Sequence, residues 1–139
     1  IAAGRFPVNP STYASITTNQ DLRYTNYDGQ DVLSLITQNN VNVGLNSNND
    51  LRVDGAVIAQ NGRVGRYYYN SSCGSNYIRN SITLYGMIGT NQRYGWAWTD
   101  GTGYQTRVIT YDGNLLYGPP PNFPITASQY DIISWEEVK

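Results

Sequence analysis

An isoleucine followed three residues later by an asparagine recurs along this chain, at Ile16-Thr17-Thr18-Asn19, Ile36-Thr37-Gln38-Asn39, Ile58-Ala59-Gln60-Asn61 and Ile88-Gly89-Thr90-Asn91. A weaker fifth copy, Ile109-Thr110-Tyr111-Asp112, carries Asp in the place of Asn. The spacing is short and nearly regular, from Ile16 to Ile36 to Ile58 and again from Ile88 to Ile109, with one longer interval between Ile58 and Ile88. Asparagine is abundant, so a two-residue match carries little by itself. Longer matches strengthen it: Gln38 with Gln60, Arg63 with Arg93 and Gly65 with Gly95, the last two pairs within VIAQNGRVGR (57–66) and MIGTNQRYGW (87–96). A repeat this short limits the fold sharply. Such a unit cannot bury its apolar side alone and must stack on its neighbours.

The segments around each copy favour Val, Ile, Leu, Thr and Tyr, which suit pleated strands, while Gly and Asn punctuate nearly every stretch between them. Helix fits poorly, because no apolar helical period persists and Lys and Glu are nearly absent. The expected fold is all-β: a β-solenoid, single-stranded and β-helix-like, of about four to five rungs with atypical capping ends. In that fold Ile16, Ile36, Ile58 and Ile88 fill the interior. Asn19, Asn39, Asn61 and Asn91 stack at one corner, bonding to the rungs above and below and accepting the left-handed backbone of a sharp turn.

A chain of 139 residues makes one domain. Its expected organisation is an irregular N-terminal lead-in over 1–13, a repeat region over 14–117 with an inserted loop at 67–80, and a Pro-rich C-terminal cap over 118–139. Caps are needed because stacked strands leave raw sheet edges at both ends. The alternation in Asp131-Ile132-Ile133-Ser134-Trp135 suits a closing strand; a capping box over Ser134–Glu137 also matches, but too little chain follows for a helix. The sequence begins with Ile1 rather than Met and holds no long apolar span, so a fragment or matured product, with no membrane segment of its own, is expected.

The nine basic and ten acidic residues are scattered, leaving a formal charge of −1 and no footprint for nucleic acid or an anionic membrane. Histidine is absent and the one lysine is Lys139. No Ser-His or Cys-His nucleophile and no His-containing zinc site can therefore form within the chain. Cys73, in the polar stretch YYYNSSCGSNY, has no partner for an internal disulfide; a free thiol is expected, with a crosslink between subunits as the alternative. No cofactor and no metal are expected.

Thirteen Tyr and three Trp are the compositional oddity. Tyr67, Tyr68, Tyr69, Tyr94, Trp96 and Trp98 are candidates for a protein interface or a glycan contact, against the plain alternative that they pack the last rungs. Carboxylates are weaker candidates. Asp28 and Asp31 fall in the turn-rich YDGQD, and Asn46, Asn48 and Asp50 imitate the opening of a calcium loop that then fails at Leu51 and Val57. Arg63 and Arg93 share a register and could clamp an anion, although pairing with Asp is the simpler expectation. Asn70-Ser71-Ser72 is an N-glycosylation sequon. Thr17, Thr37 and Thr110 share a register that Ala59 and Gly89 interrupt, so no flat threonine surface is written here.

The run NNDLRVDGAVIAQNGRVGRYYY, followed by NSITLYGMIGTNQRYGWAW and ITYDGNLLYGPPPNFPITASQYDIISWEEVK, resembles the C-terminal region of type IV pilus-associated proteins, the PilX-type, prepilin-like proteins of uncultured and candidate-phylum bacteria. The resemblance covers roughly residues 20 to 139. It implies a β-helical region lying outside the cell, preceded in that group by a membrane helix this sequence does not contain. The expected function is that of a non-enzymatic structural or adhesive subunit of an extracellular, cell-surface bacterial appendage, pilus-like or another filament, self-associating through its termini. Its partners are then copies of itself, with surface glycans as a further class. The alternatives are a glycan-binding surface or tail-spike module and, third, a polysaccharide-degrading β-helix enzyme.

Overall fold

The computed structural model of the chain describes residues 1–121 and 123. Its strands are β1 (Ala2–Ala3), β2 (Ile16–Thr18), β3 (Ser34–Thr37), β4 (Val41–Val43), β5 (Asp50–Ala59), β6 (Val64–Arg66), β7 (Ile78–Thr90) and β8 (Gly103–Tyr111). They form two wholly parallel sheets, one in the order β1-β3-β5-β7-β8 and the other in the order β2-β4-β6. Through β7 the chain visits the two sheets alternately, which is how parallel neighbours come to be joined without tight hairpins. Short 3-10 turns at Pro10–Thr12, Ser71–Cys73, Ser75–Tyr77 and Gly113–Leu116 interrupt the path.

This architecture corrects the expected solenoid. A closed coil requires each circuit of the chain to add a strand to every face, and here the sheets hold five strands and three. After β7, among the described residues, the chain makes strand pairing with the smaller sheet only at the isolated bridge Gly65–Gly95, then doubles back through the antiparallel bridge Ala97–Gly103 before entering β8. Two local causes are visible. Trp96 turns into the core between those bridges, and Asp100 accepts hydrogen bonds from Thr102 N (3.0 Å) and Oγ1 (2.8 Å), closing a tight turn. The smaller sheet stops there, and β8 extends the larger one alone.

The repeated isoleucines do not form one column either. Ile36 pairs with Ile58, but Ile88 lies opposite Val57, and Ile16 belongs to the other sheet, opposite Val41. Side chains alternate between faces along a strand, so a one-residue offset exchanges inside for outside. The inward column is therefore Leu35, Val57 and Ile88, while Ile36 and Ile58 are only half-buried. A pair of glycines suits this register better than the isoleucines do. Gly55 stands opposite Gly86, with φ of 134° and 150°, and a Cβ on Gly86 would overlap the Gly55 carbonyl.

Between the sheets pack Leu35, Leu51, Val53, Val57, Ile82 and Leu84 from the larger one, Val41, Val43 and Val64 from the smaller, and Trp96 and Tyr104. A residual void of about 20 Å³ there has room for roughly one water molecule and none for an organic ligand. Three of the repeated asparagines share a corner: Asn61 Nδ2 donates to Gln38 O (2.8 Å), Asn91 Nδ2 donates to Asn61 O (3.3 Å), and Asn39 packs against Gly62. Asn19, at the end of β2, packs against Gly44 instead.

The lead-in contributes β1, paired with β3. The inserted loop is shorter than expected, since its last residues, from Ile78 onward, already belong to β7. The expected closing strand over Asp131–Trp135, the Ser134–Glu137 box and most of the C-terminal cap lie outside the described residues. Among the described residues, no helix is long and apolar enough to cross a membrane.

Candidate functional site

The outer face of the smaller sheet carries a row set by its register, Thr17–Asn42–Gly65, which the bridge to Gly95 extends. Val41 and Val43 point inward, so Asn42 between them must point outward. Tyr67 folds back over it, and Asn42 Nδ2 donates to the Tyr67 hydroxyl at 3.1 Å. Asn42 is 2% exposed, and its Oδ1 has no hydrogen-bond partner. Turning the amide over merely exchanges which end is orphaned. At the Gly95 end the face is bare: a Cβ built on Gly95 meets nothing.

Beside this row stand the exposed aromatics. Tyr68 and Trp98 meet edge to face at 5.4 Å, the Arg63 guanidinium lies 5.4 Å from the Trp98 ring, and the Tyr68 hydroxyl donates to Asp100 Oδ2 at 2.9 Å. The backbone and hydroxyl of Thr102, then Tyr68, hold the Asp100 carboxyl below its usual pKa, so it stays ionised. Arg63 is tethered by a bond from Nη2 to Arg66 O (3.0 Å), which fixes the guanidinium beside Trp98.

Of the six aromatics singled out in the sequence, Tyr67, Tyr68, Tyr94 and Trp98 are exposed. Trp96 is corrected: at 2% exposure it is a core residue, its Nε1 without a partner. Tyr69 is half-buried under Arg66, 4.8 Å from its guanidinium. Arg66 itself is buried and donates to the carbonyls of Tyr77 (3.0 Å), Asn76 (2.7 Å) and Leu45 (3.2 Å), and burial lowers its pKa. Backbone carbonyls and a ring in place of a carboxylate make it the clamp of the 67–77 loop. Arg93 is exposed and shares no partner with Arg63, so no guanidinium pair forms among the described residues.

A second cluster lies on the outer face of the larger sheet, where the loop between β2 and β3 covers β5 and β7. Asp54 is fully buried and accepts from Arg52 Nε (2.8 Å), the Tyr27 hydroxyl (2.6 Å) and Tyr24 N (3.0 Å). Tyr24, Tyr27 and Tyr85 pack with ring centroids 5.6 to 6.2 Å apart, and Tyr85 donates to buried Asp112 at 3.3 Å. Burial, then the Asp112 charge, pushes the Tyr24 phenol up to about 12. Both carboxylates are buried and accept their hydrogen bonds from this chain, so the cluster fastens the loop. An open groove of about 390 Å³ runs outside it between Arg23, Gln30, Asp31, Leu33 and Pro121.

The remaining candidates serve turns and neighbouring strands. Asp28 accepts from Gln30 N, Asp31 from Asn26 N, Asn46 from Asn76, and Asp50 from Asn80, while Asn48 donates to Asp21. Thr37 is buried in the larger sheet and Thr17 exposed on the smaller, so they share no surface. Cys73 is an exposed free thiol, and Asn70 caps the turn that holds it by accepting from Ser72 N (3.0 Å). Among the described residues, no three His, Cys, Asp or Glu side chains converge as a metal site.

Sequence reasoning missed Asn42, Asp100, Asp54 and Asp112. The alternation Val41-Asn42-Val43 was a usable signal for Asn42. Each of the three missed aspartates precedes a glycine and so reads as part of a turn, with no sign that Asp54 and Asp112 are buried. In comparisons with known proteins, no family model, no curated protein and no solved structure matches this chain.

Proposed function

We propose that this protein is a non-enzymatic structural and adhesive subunit of an extracellular bacterial appendage, pilus-like or another filament, and that it associates with copies of itself through the β8 end of its larger sheet. One observation carries the reading. β8 is paired on one side only among the described residues, and Gln105 to Tyr111 are exposed along it, including Val108, Ile109 and Tyr111. A long unpaired edge with apolar side chains is a template for another strand. The opposite edge is poorly suited to receive it: β1 has two residues, and Pro7 and Pro10 follow without backbone donors. A second β8, antiparallel across a two-fold axis, offers the same donors and acceptors in return. A formal charge of −1 leaves little repulsion between copies.

The carboxylates support the non-enzymatic part, since each described Asp accepts at least one hydrogen bond from its own chain. The extracellular, pilus-like setting rests on the resemblance in the sequence. Light scattering together with amide exchange on the full chain tests the association. Rising concentration should increase the particle mass and slow exchange along β8, and Ile109→Lys should abolish both effects. A monomer at all concentrations, or β8 protection that does not depend on concentration, would refute self-association through this edge.

A further inference from the structure

We infer that the outer face of the smaller sheet is a binding site for a neutral oligosaccharide, built by Trp98, Tyr68 and Tyr67 with Arg63, Asp100 and Asn42. The site shares no residue with the exposed edge of β8, so it stands or falls separately from the association proposed above.

The argument starts from what a pyranose presents: a face of C–H groups that packs on an aromatic ring, and a rim of hydroxyls that need planar, directional partners. Trp98 and Tyr68 supply the rings, 5.4 Å apart and both exposed. Arg63 and Asp100 flank that pair, and each is already fixed by its own chain, Arg63 through Arg66 O and Asp100 through Thr102 and Tyr68. A donor and an acceptor held beside an aromatic face match vicinal hydroxyls and lose little freedom on binding. Their opposite charges leave no net field to favour an anionic polymer.

Two further features point to a ligand. At its far end the row is glycine backbone, Gly65 and Gly95, and the position a side chain would occupy at Gly95 is open space. Further along the same row, across Gly65, Asn42 is buried with one end of its amide unpartnered. Its cover, Tyr67, is itself half exposed. A sugar hydroxyl entering from the Gly95 side and displacing that ring would supply the missing bond. A protein partner fits less well, because none of the exposed aliphatic side chains, Ile1, Val8, Ile78, Val108, Ile109 and Leu116, belongs to this group.

The test is titration of the full chain with cellohexaose, chitohexaose, mannohexaose and maltohexaose, with hexagalacturonate as the anionic arm, followed by tryptophan fluorescence and calorimetry. At least one neutral hexasaccharide should bind and shift the emission. Trp98→Ala should weaken that binding by about tenfold or more, and Asp100→Asn and Tyr68→Phe should weaken it by smaller factors, with circular dichroism unchanged. Tyr68→Phe retains the ring and guards against a folding defect in the Trp98 variant. The inference is overturned if no neutral hexasaccharide binds at millimolar concentration, if only hexagalacturonate binds, or if binding survives both Trp98→Ala and Tyr68→Phe.

Discussion

At the β1 end the larger sheet tapers to a two-residue edge strand followed by prolines, while at the β8 end, among the described residues, it leaves a nine-residue edge exposed. The β1 end is held by many small bonds. The N-terminal ammonium donates to Ser34 O (2.8 Å), Gln38 N donates to Ala3 O (3.1 Å), and the Gln38 side chain grips Arg5 from both sides, accepting from its N–H (2.8 Å) and donating to its carbonyl (3.1 Å). At β8, Ile109 continues the inward column of Val53 and Leu84, yet among the described residues the smaller sheet sends no strand to face it, and it is 45% exposed. Leu35 on β3 thus lies in a finished environment and Ile109 on β8 in an unfinished one. What differs is whether a second layer reaches it, which strand propensity alone does not determine.

Three substitutions probe that contrast. Leu35→Ala, in the core near the β1 end, should destabilise the fold by about 2–5 kcal/mol in chemical denaturation, because the site is 1% exposed and packed among residues of both sheets. A smaller cost would mean that this end is loosely packed. Gln38→Ala removes the side-chain grip on Arg5 and should cost about 1–3 kcal/mol while raising amide exchange in residues 1–5, without altering β8. Unchanged exchange in the lead-in would show that the backbone bonds of β1 suffice. Ile109→Ala should change monomer stability by less than about 1 kcal/mol, since nearly half of its surface is already in water. A loss as large as that at Leu35 would mean that Ile109 is as well packed as Leu35.

The sequence allowed the strands and their stacking to be anticipated, because so short a repeat leaves few other ways to bury Val41, Val57 and Ile82. It misled about closure. Residues 91 to 102 continue the repeat by composition, but Trp96 and the Asp100 turn divert the chain; Trp96 reads equally well as strand material, and Asp100-Gly101 marks a turn without giving its direction. Register was obscured for a different reason. The recurring Ile drew attention to itself, whereas the stacking of Gly55 on Gly86 has no side chain to advertise it. Of the candidate aromatics, Trp96 and Trp98 are two residues apart in one alternating segment, and the sequence does not say which one is covered.

The parallel pairing has a kinetic consequence. Each partnership between strands joins residues far apart along the chain, as Ile36 to Ile58, Val57 to Ile88 and Leu84 to Ile109 illustrate. Each pairing must meet the entropy of closing its loop before its hydrogen bonds and side chains return any free energy. Such a chain belongs with the slower folders, on the millisecond-to-second scale rather than the microsecond one. During synthesis every strand of the larger sheet also waits, unpaired on one side, until the next has emerged. Among the described residues, the edge at β8 is the last in that series.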